Sequence, residues 1–364
     1  MFKKSNANER EIIMHAFLNK WLHNYLKINQ IKFNYLDALD GDAGFRKYYR
    51  VNILDKDNTN KNYILTYAPP STEKNLEFLN IHNIFYKNNI KVPDIYDYDL
   101  EQGFFLIEDL GEKLAFNYIK KFDHIYKVTL DNLVKIQKAR VIEAVPEYSS
   151  SLMTKELNLC NEWFLDKFLK ISHSNFSKDY KVIVNNLQSQ AKVLVHRDFQ
   201  SKNLILSNDL KNVGVIDFQD AVIGPVTYDL ASLLYDCYVD IESELFDSNI
   251  DYFFQELISN NLIESKISKE IFTDWFYYAV LLRHIKNLGI FARLYLRDNK
   301  KQYLQHMPRT LSYVLKALEY FKSENRVENK LEDKLEDKLE ELNLVFNTEL
   351  LSILNNKLEK FNKL

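Results

Sequence analysis

Across residues 9–28 apolar side chains recur in two interleaved rows, Ile13, Phe17 and Trp21, and Leu18, Leu22, Tyr25 and Leu26. Positions three and four apart share a helix face, so this spacing predicts an amphipathic helix. The pattern then changes period. Between about Tyr35 and Tyr67 short apolar stretches alternate with turn chemistry: D-G-D-A-G at 40–44 and a polar loop at 55–61. That predicts strands at 48–54 and 63–67. Pro69 and Pro70 stop the second strand, because proline has no N–H to give a ladder. Residues 73–88 read as a helix with Leu76, Leu79, Ile84 and Phe85 on its apolar side, and 92–98 and 103–107 read as two further strands. Gly111 marks a break. From 114 to 186 the period is mostly helical, strands return at 193–195 and within 204–216, and helices resume from 227 to about 322. The expected fold is α+β and bilobal: a β-rich lobe over 1–110 and a helical lobe with an embedded hairpin over 111–322.

Residues 323–364 form a third, charged segment. Its stretch 329–342, N-K-L-E-D-K-L-E-D-K-L-E-E-L, puts Leu331, Leu335, Leu339 and Leu342 on one helical face with Glu and Lys at i,i+4 spacing. It reads as a solvated helix; the sharper alternative is a docking helix that offers its leucines to a protein partner.

Composition narrows the classes of function. At 364 residues and 46% hydrophobic, the chain can bury a large core. A net charge of −3 lacks the basic excess typical of nucleic-acid binding. The apolar stretch 276–291 is interrupted by Arg283, His284 and Lys286, so no membrane span is expected. Two cysteines, Cys160 and Cys237, make no disulfide framework and suit a cytoplasmic protein.

The chemistry-bearing pattern is H-R-D-F-Q-S-K-N at 196–203 followed by I-D-F-Q-D at 216–220. An apolar strand delivers Asp198 to a loop, Asn203 follows five residues later, and a hairpin between 204–206 and 213–216 returns Asp217 to the same end. Phosphoryl transfer needs such a set. Asp198 would orient the acceptor hydroxyl and take its proton; Asn203 and Asp217 supply the hard oxygen ligands that Mg²⁺ prefers. Either aspartate alone would more often cap a turn; order, spacing and strand context together specify a kinase fold. Only nine residues separate Phe218 from Tyr228, too few for a regulatory loop and peptide platform, so a small-molecule acceptor is expected. The strand Y-I-L-T-Y at 63–67 carries no lysine to hold nucleotide phosphates; Arg46, Lys47 and Arg50 are the nearby cations.

The segments 196–203 and 216–236 resemble the aminoglycoside phosphotransferase/choline kinase-like superfamily. With G-D-A-G-F-R-K-Y-Y-R-V (41–51), A-P-P (68–70), D-L-E-Q-G-F-F-L-I-E-D-L-G (99–111) and 283–298, the chain is most similar to the anomeric N-acetylmuramate/N-acetylglucosamine kinases of peptidoglycan recycling, over about 9–320. The resemblance implies a protein-kinase-like fold with ATP between the lobes and an amino sugar phosphorylated at its anomeric hydroxyl. It implies Asp198 as base, Asn203 and Asp217 on Mg²⁺, and Glu108, Asp109 and Leu110 as the adenine hinge. Asp42, Ala43, Gly44, Phe45 and Arg46 would form the turn over the nucleotide. For the acceptor, Asp220 lies near the metal loop, Glu162 and Trp163 offer a polar group and an aromatic platform, and Arg283 and Arg293 suit a substrate carboxylate. Other readings are a kinase for an aminoglycoside, choline or homoserine, and a non-catalytic nucleotide-binding scaffold.

Overall fold

A computed structural model describes residues 7–39, 44–54, 59–141, 144–323 and 339–362. The smaller lobe is a five-stranded antiparallel sheet of β1 (Lys32–Leu39), β2 (Lys47–Leu54), β3 (Asn60–Tyr67), β4 (Ile95–Asp99) and β5 (Phe104–Glu108), in the order β1-β2-β3-β5-β4. Strand alternation gives the sheet two different faces. Tyr49, Val51, Ile53, Tyr63, Leu65, Phe104 and Leu106 pack against Leu18, Leu22 and Leu26 of helix α1 (Ala7–Ile28). Of the two rows read from the sequence, the Leu18 row is the buried one; Phe17 is exposed. The opposite face carries Tyr48, Arg50, Thr66 and Phe105. Here α2 (Asn75–Lys87) packs Phe78 edge-on to Phe105. Its buried side is Phe78, Ile81, Ile84 and Phe85, while Leu76 points to solvent, one position away from the expected stripe.

At the β4–β5 turn Gly103 adopts φ +73°, and a Cβ there would lie 2.1 Å from the Ala68 carbonyl oxygen. Only glycine lets this turn close against the end of β3.

The larger lobe contains α3 (His124–Gln137), α4 (Ser150–Leu159) running into a π-helix (Cys160–Leu169), α5 (Ser177–Gln188), α6 (Tyr228–Leu234), α7 (Ser243–Ser259), α8 (Lys269–Asp298) and α9 (Met307–Lys322). Four short strands sit among them: β6 (Lys192–Val195), β7 (Leu204–Leu206), β8 (Val213–Val215) and β9 (Val222–Pro225). β7 pairs with β8 as the hairpin pattern requires. β6 pairs with β9, a strand whose Gly-Pro ending hides it from a periodicity reading. The long helix α8 crosses α4 so closely at Gly289 that a Cβ would come within 2.5 Å of the Leu159 and Cys160 backbone. Both cysteines are free and buried, and burial raises both thiols.

The terminal segment departs from its expected role. Helices α10 (Glu340–Val345) and α11 (Thr348–Asn362) return to the larger lobe, burying Leu339, Leu342, Phe346, Leu350 and Leu354 in its main core. Asp179 accepts a hydrogen bond from the Leu342 N–H at 2.7 Å, and Phe361 stacks on Phe168. Two of the four leucines that the repeat offers to a partner are therefore used inside the chain, and 339–362 joins the helical lobe; Leu331 and Leu335 lie outside the described residues. Among the described residues no helix is long and apolar enough to cross a membrane.

Candidate active site

β6 ends at Val195 and hands the chain to His196, Arg197 and Asp198. Buried side chains fix this loop. Asp229, in the first turn of α6, accepts from the backbone N–H of His196 at 2.6 Å and of Arg197 at 3.0 Å. Burial pushes the Asp229 carboxyl up to about 6. His196 is fully buried; its Nδ1 accepts from the Asp198 N–H, so Nε2 carries the proton and donates to the Ile216 carbonyl at 3.0 Å. The ring thus binds the Asp198 loop to the residue before Asp217, and burial lowers its pKa. Arg197 takes a left-handed φ of +74° and pairs with buried Glu156 of α4. Ser201 anchors the next turn by two hydrogen bonds to Asp236, at 2.8 and 2.6 Å.

The three motif residues converge as the hairpin topology requires. Asn203 donates from Nδ2 to the Asp198 carbonyl at 2.9 Å and lies 3.5 Å from Asp217 Oδ2. The Ile216 N–H donates to the Asn203 carbonyl at 3.1 Å, closing the hairpin. Asp217 sits at φ +63°, and Gln219 Nε2 donates to its Oδ1 at 2.9 Å. Surrounding protein, then the charge of Asp198, raise the Asp217 carboxyl to about 6, although its side chain opens to the cleft. Two oxygen ligands from protein suit Mg²⁺, which keeps waters and phosphates for its remaining positions. With Nδ2 of Asn203 committed to a carbonyl, Oδ1 is the atom that could ligate a metal.

β3 carries no lysine, and the nearby cations differ in what they meet. Thr66 holds the corresponding face of the strand, opposite Tyr48 and Phe105, buried and with no hydrogen-bond partner for its hydroxyl among the described residues. Arg46, just before β2, lies 3.0 Å from Gln219 Oε1 through Nη1 and 3.0 Å from Glu73 Oε2 through Nε. Glu73 also accepts from the Phe45 N–H at 3.1 Å, tying the turn to α2's approach. Arg50 is committed elsewhere, to Asp109 at 2.6 Å and to Glu112, and Lys47 shares the outer face of Tyr49. Gly44 and Phe45 are described and exposed; Asp42 and Ala43 lie outside the described residues.

Glu108 closes β5 with its carboxylate on Lys91, 2.5 Å, and on the Asp94 N–H, 3.1 Å. Asp109 accepts from Gly111 N–H, and Leu110 packs over Gly214 of β8. This segment and the β7–β8 hairpin line a cleft of about 700 Å³.

The acceptor residues named from sequence divide into two groups. Asp220 meets Lys74 at 2.6 Å; burial alone would raise its pKa, but Lys74, Arg197 and Lys286 bring it below the usual range. Arg283 is the correction. It is 2% exposed: Nη1 donates to the Arg197 carbonyl at 2.7 Å and lies 3.5 Å from Asp198, and Nη2 donates to Gln200 at 3.1 Å. It holds the loop at 197–200 and presents almost no surface to a substrate carboxylate. Glu162, Trp163 and Arg293 lie elsewhere. Arg293 is ten residues beyond Arg283 on α8, about 15 Å along the axis. Glu162 pairs with Lys167, whose ammonium covers the Trp163 ring at 3.7 Å, so that ring is not a bare platform. Glu162 does line an open groove of about 610 Å³ along α4, with Ser150, Ser151, Thr154, Lys155 and Asn158.

Residues 36–256 match the phosphotransferase enzyme family. That span is more than half of the chain. The chain belongs to this family. Relatives within it are an N-acetylmuramate/N-acetylglucosamine kinase of Pseudomonas putida, 31% identical over 78% of this chain and 83% of the relative, and one of Neisseria meningitidis serogroup B, 32% identical over 76% and 83%. In fold the phosphotransferase is similar to a choline kinase of Streptococcus pneumoniae, with a TM-score of 0.57 at 14% identity, covering 82% of this chain and 99% of that one.

Sequence reasoning missed Glu73, Lys74, Gln219, Glu156 and Lys286. Lys286 is buried on α8, 3.4 Å from both Glu156 and the Tyr228 hydroxyl. Its one visible signal was a second cation inside an apolar helix. Glu73 and Gln219 carried none, because each meets Arg46 only in three dimensions.

Proposed function

We propose that this phosphotransferase is an ATP- and Mg²⁺-dependent cytoplasmic kinase that phosphorylates the anomeric hydroxyl of N-acetylmuramate or N-acetylglucosamine. The observation that carries the reading is the convergence of Asp198, Asn203 and Asp217 at one end of the β7–β8 hairpin, in a chain whose relatives are named for those two sugars.

Asp198 accepts the proton of the acceptor hydroxyl as its oxygen bonds to the γ-phosphorus; the bond from that phosphorus to the β-bridging oxygen breaks and ADP leaves. An anomeric hydroxyl is more acidic than an ordinary alcohol, which eases removal of its proton. Arg283 holds this loop rigid, and positioning and charge neutralisation supply most of the rate. Asn203 Oδ1 and Asp217 would hold Mg²⁺, which neutralises phosphate charge when bound. Arg46 stands in for the strand lysine.

The test is ATP consumption with N-acetylmuramate, N-acetylglucosamine, choline and kanamycin, with ³¹P NMR of the product. Turnover with the amino sugars and a 1-phosphate signal are expected. Turnover confined to choline or kanamycin would overturn the substrate assignment.

A further inference from the structure

Gln219 stands two residues after Asp217, and its amide is used at both ends. Its oxygen accepts from Arg46 Nη1 at 3.0 Å, and its nitrogen donates to Asp217 Oδ1 at 2.9 Å. The partners dictate this orientation, since Arg46 only donates and a carboxylate only accepts. Resting on the phosphotransfer reading above, we infer that Gln219 is a positioning residue that occupies the phosphate seat on Arg46 and the metal seat on Asp217 while nucleotide is absent, and swings away when the nucleotide and its metal enter.

The polarity of the contacts supports this. Arg46 calls for an anionic oxygen and receives a carbonyl oxygen. Asp217 calls for a cation and receives an N–H. A carboxamide is the side chain that presents both polarities on adjacent atoms; a glycine there would present neither. The surroundings make the seat a junction between lobes. Arg46 is itself paired with Glu73, which also holds the Phe45 N–H, so the β1–β2 turn is tied to the metal loop through one guanidinium. Beside it Lys74 meets Asp220 at 2.6 Å, and Phe78 of α2 stacks on Phe218 with ring centroids 5.0 Å apart. The lobes are therefore already in register around an amide that mimics both missing charges. Nucleotide binding exchanges two hydrogen bonds at this point rather than desolvating a bare arginine and a bare aspartate.

The experiment is calorimetric titration of ADP, with and without Mg²⁺, into the wild-type chain, Gln219→Leu and Gln219→Ala, with thermal melting of each nucleotide-free protein. Gln219 is partly exposed, so both variants should fold. Two hydrogen bonds of about 1 kcal/mol each set the scale. Both variants should bind Mg·ADP tighter by about 30-fold, and metal-free ADP by only about fivefold, because only the Arg46 seat is then contested. They should melt earlier than wild type when empty. Affinity unchanged or weakened in both variants, with wild-type binding intact, overturns the role of Gln219 alone. A wild-type chain that binds no ADP under either condition overturns the nucleotide-site reading and this inference with it.

Discussion

Arg283 was read from sequence as a cation for a substrate carboxylate, and its geometry predicts something different. Arg283→Met keeps the length of the aliphatic stem and deletes the guanidinium. Two contacts to neutral acceptors are lost, at 2.7 Å to the Arg197 carbonyl and 3.1 Å to Gln200, together with the 3.5 Å approach to Asp198. Hydrogen bonds from a charged donor are worth about 1.5–3 kcal/mol each, and removing one member of a buried charged network costs about 3–5 kcal/mol. A loss of about 3–5 kcal/mol in unfolding free energy is expected, which an ordinary domain survives. Released from Arg283, the Asp198 loop shifts, and a displacement near 1 Å costs about 100-fold in rate. So kcat should fall about 100-fold for both amino sugars while KM stays within about threefold, by the same positioning argument. Arg283→Lys keeps the charge but not the fork and should fall between. Steady-state kinetics on N-acetylmuramate and N-acetylglucosamine, with urea unfolding, make the measurement. A rise in KM for N-acetylmuramate alone, with kcat preserved, would refute the reasoning and return Arg283 to the substrate.

Three further outcomes are expected. Asp198→Asn should keep ADP affinity measured by titration and lose about 10²–10⁴ in turnover; a fully active variant removes it as base. His284 is buried with no hydrogen-bond partner for either ring nitrogen among the described residues, and burial, then Arg283, hold its pKa well below 6.5. The unfolded chain therefore binds a proton below about pH 6.5 that the folded chain refuses, and stability falls as pH drops through that value, by about 2 kcal/mol at pH 5 from this residue. His284→Phe should flatten the urea-unfolding slope over pH 7 to 5 by about one proton; an unchanged slope contradicts it. Deleting residues 324–364 should lower the melting temperature by several degrees and increase binding of an apolar dye, since five buried side chains worth up to about 1.5–3 kcal/mol each leave the core; an unaltered melt would place those helices outside the cooperative fold.

Asp198, Asn203 and Asp217 were legible because each is bounded by a short apolar strand, and strand, loop and spacing are local properties. The β-rich and helical lobes were legible for the same reason. What was not legible depends on pairing across long separations. Arg46 meets Gln219 across 173 residues and Lys74 meets Asp220 across 146, and no periodicity encodes either meeting. The two sheet faces were also ambiguous from one strand: only once α1 covers Leu65 and Tyr49 does Thr66 fall on the cleft side.

The cations of α8 show how a local signal can be visible and its meaning still wrong. Arg283 and Lys286 interrupt an apolar stretch, which argued against a membrane span. Taking either charge out of water costs several kcal/mol unless partners return it. A buried cation reserved for substrate would leave that cost unmet in the empty chain. The structure meets it from within: Arg283 is returned by the Asp198 loop, and Lys286 by Glu156 and Tyr228. Glu156 in turn holds Arg197, so the buried charges of α4 and α8 converge on one loop from two sides. Burial of a cation in an apolar helix with its acceptors preassembled points to positioning. A cation that reads substrate must keep its donors open until substrate arrives.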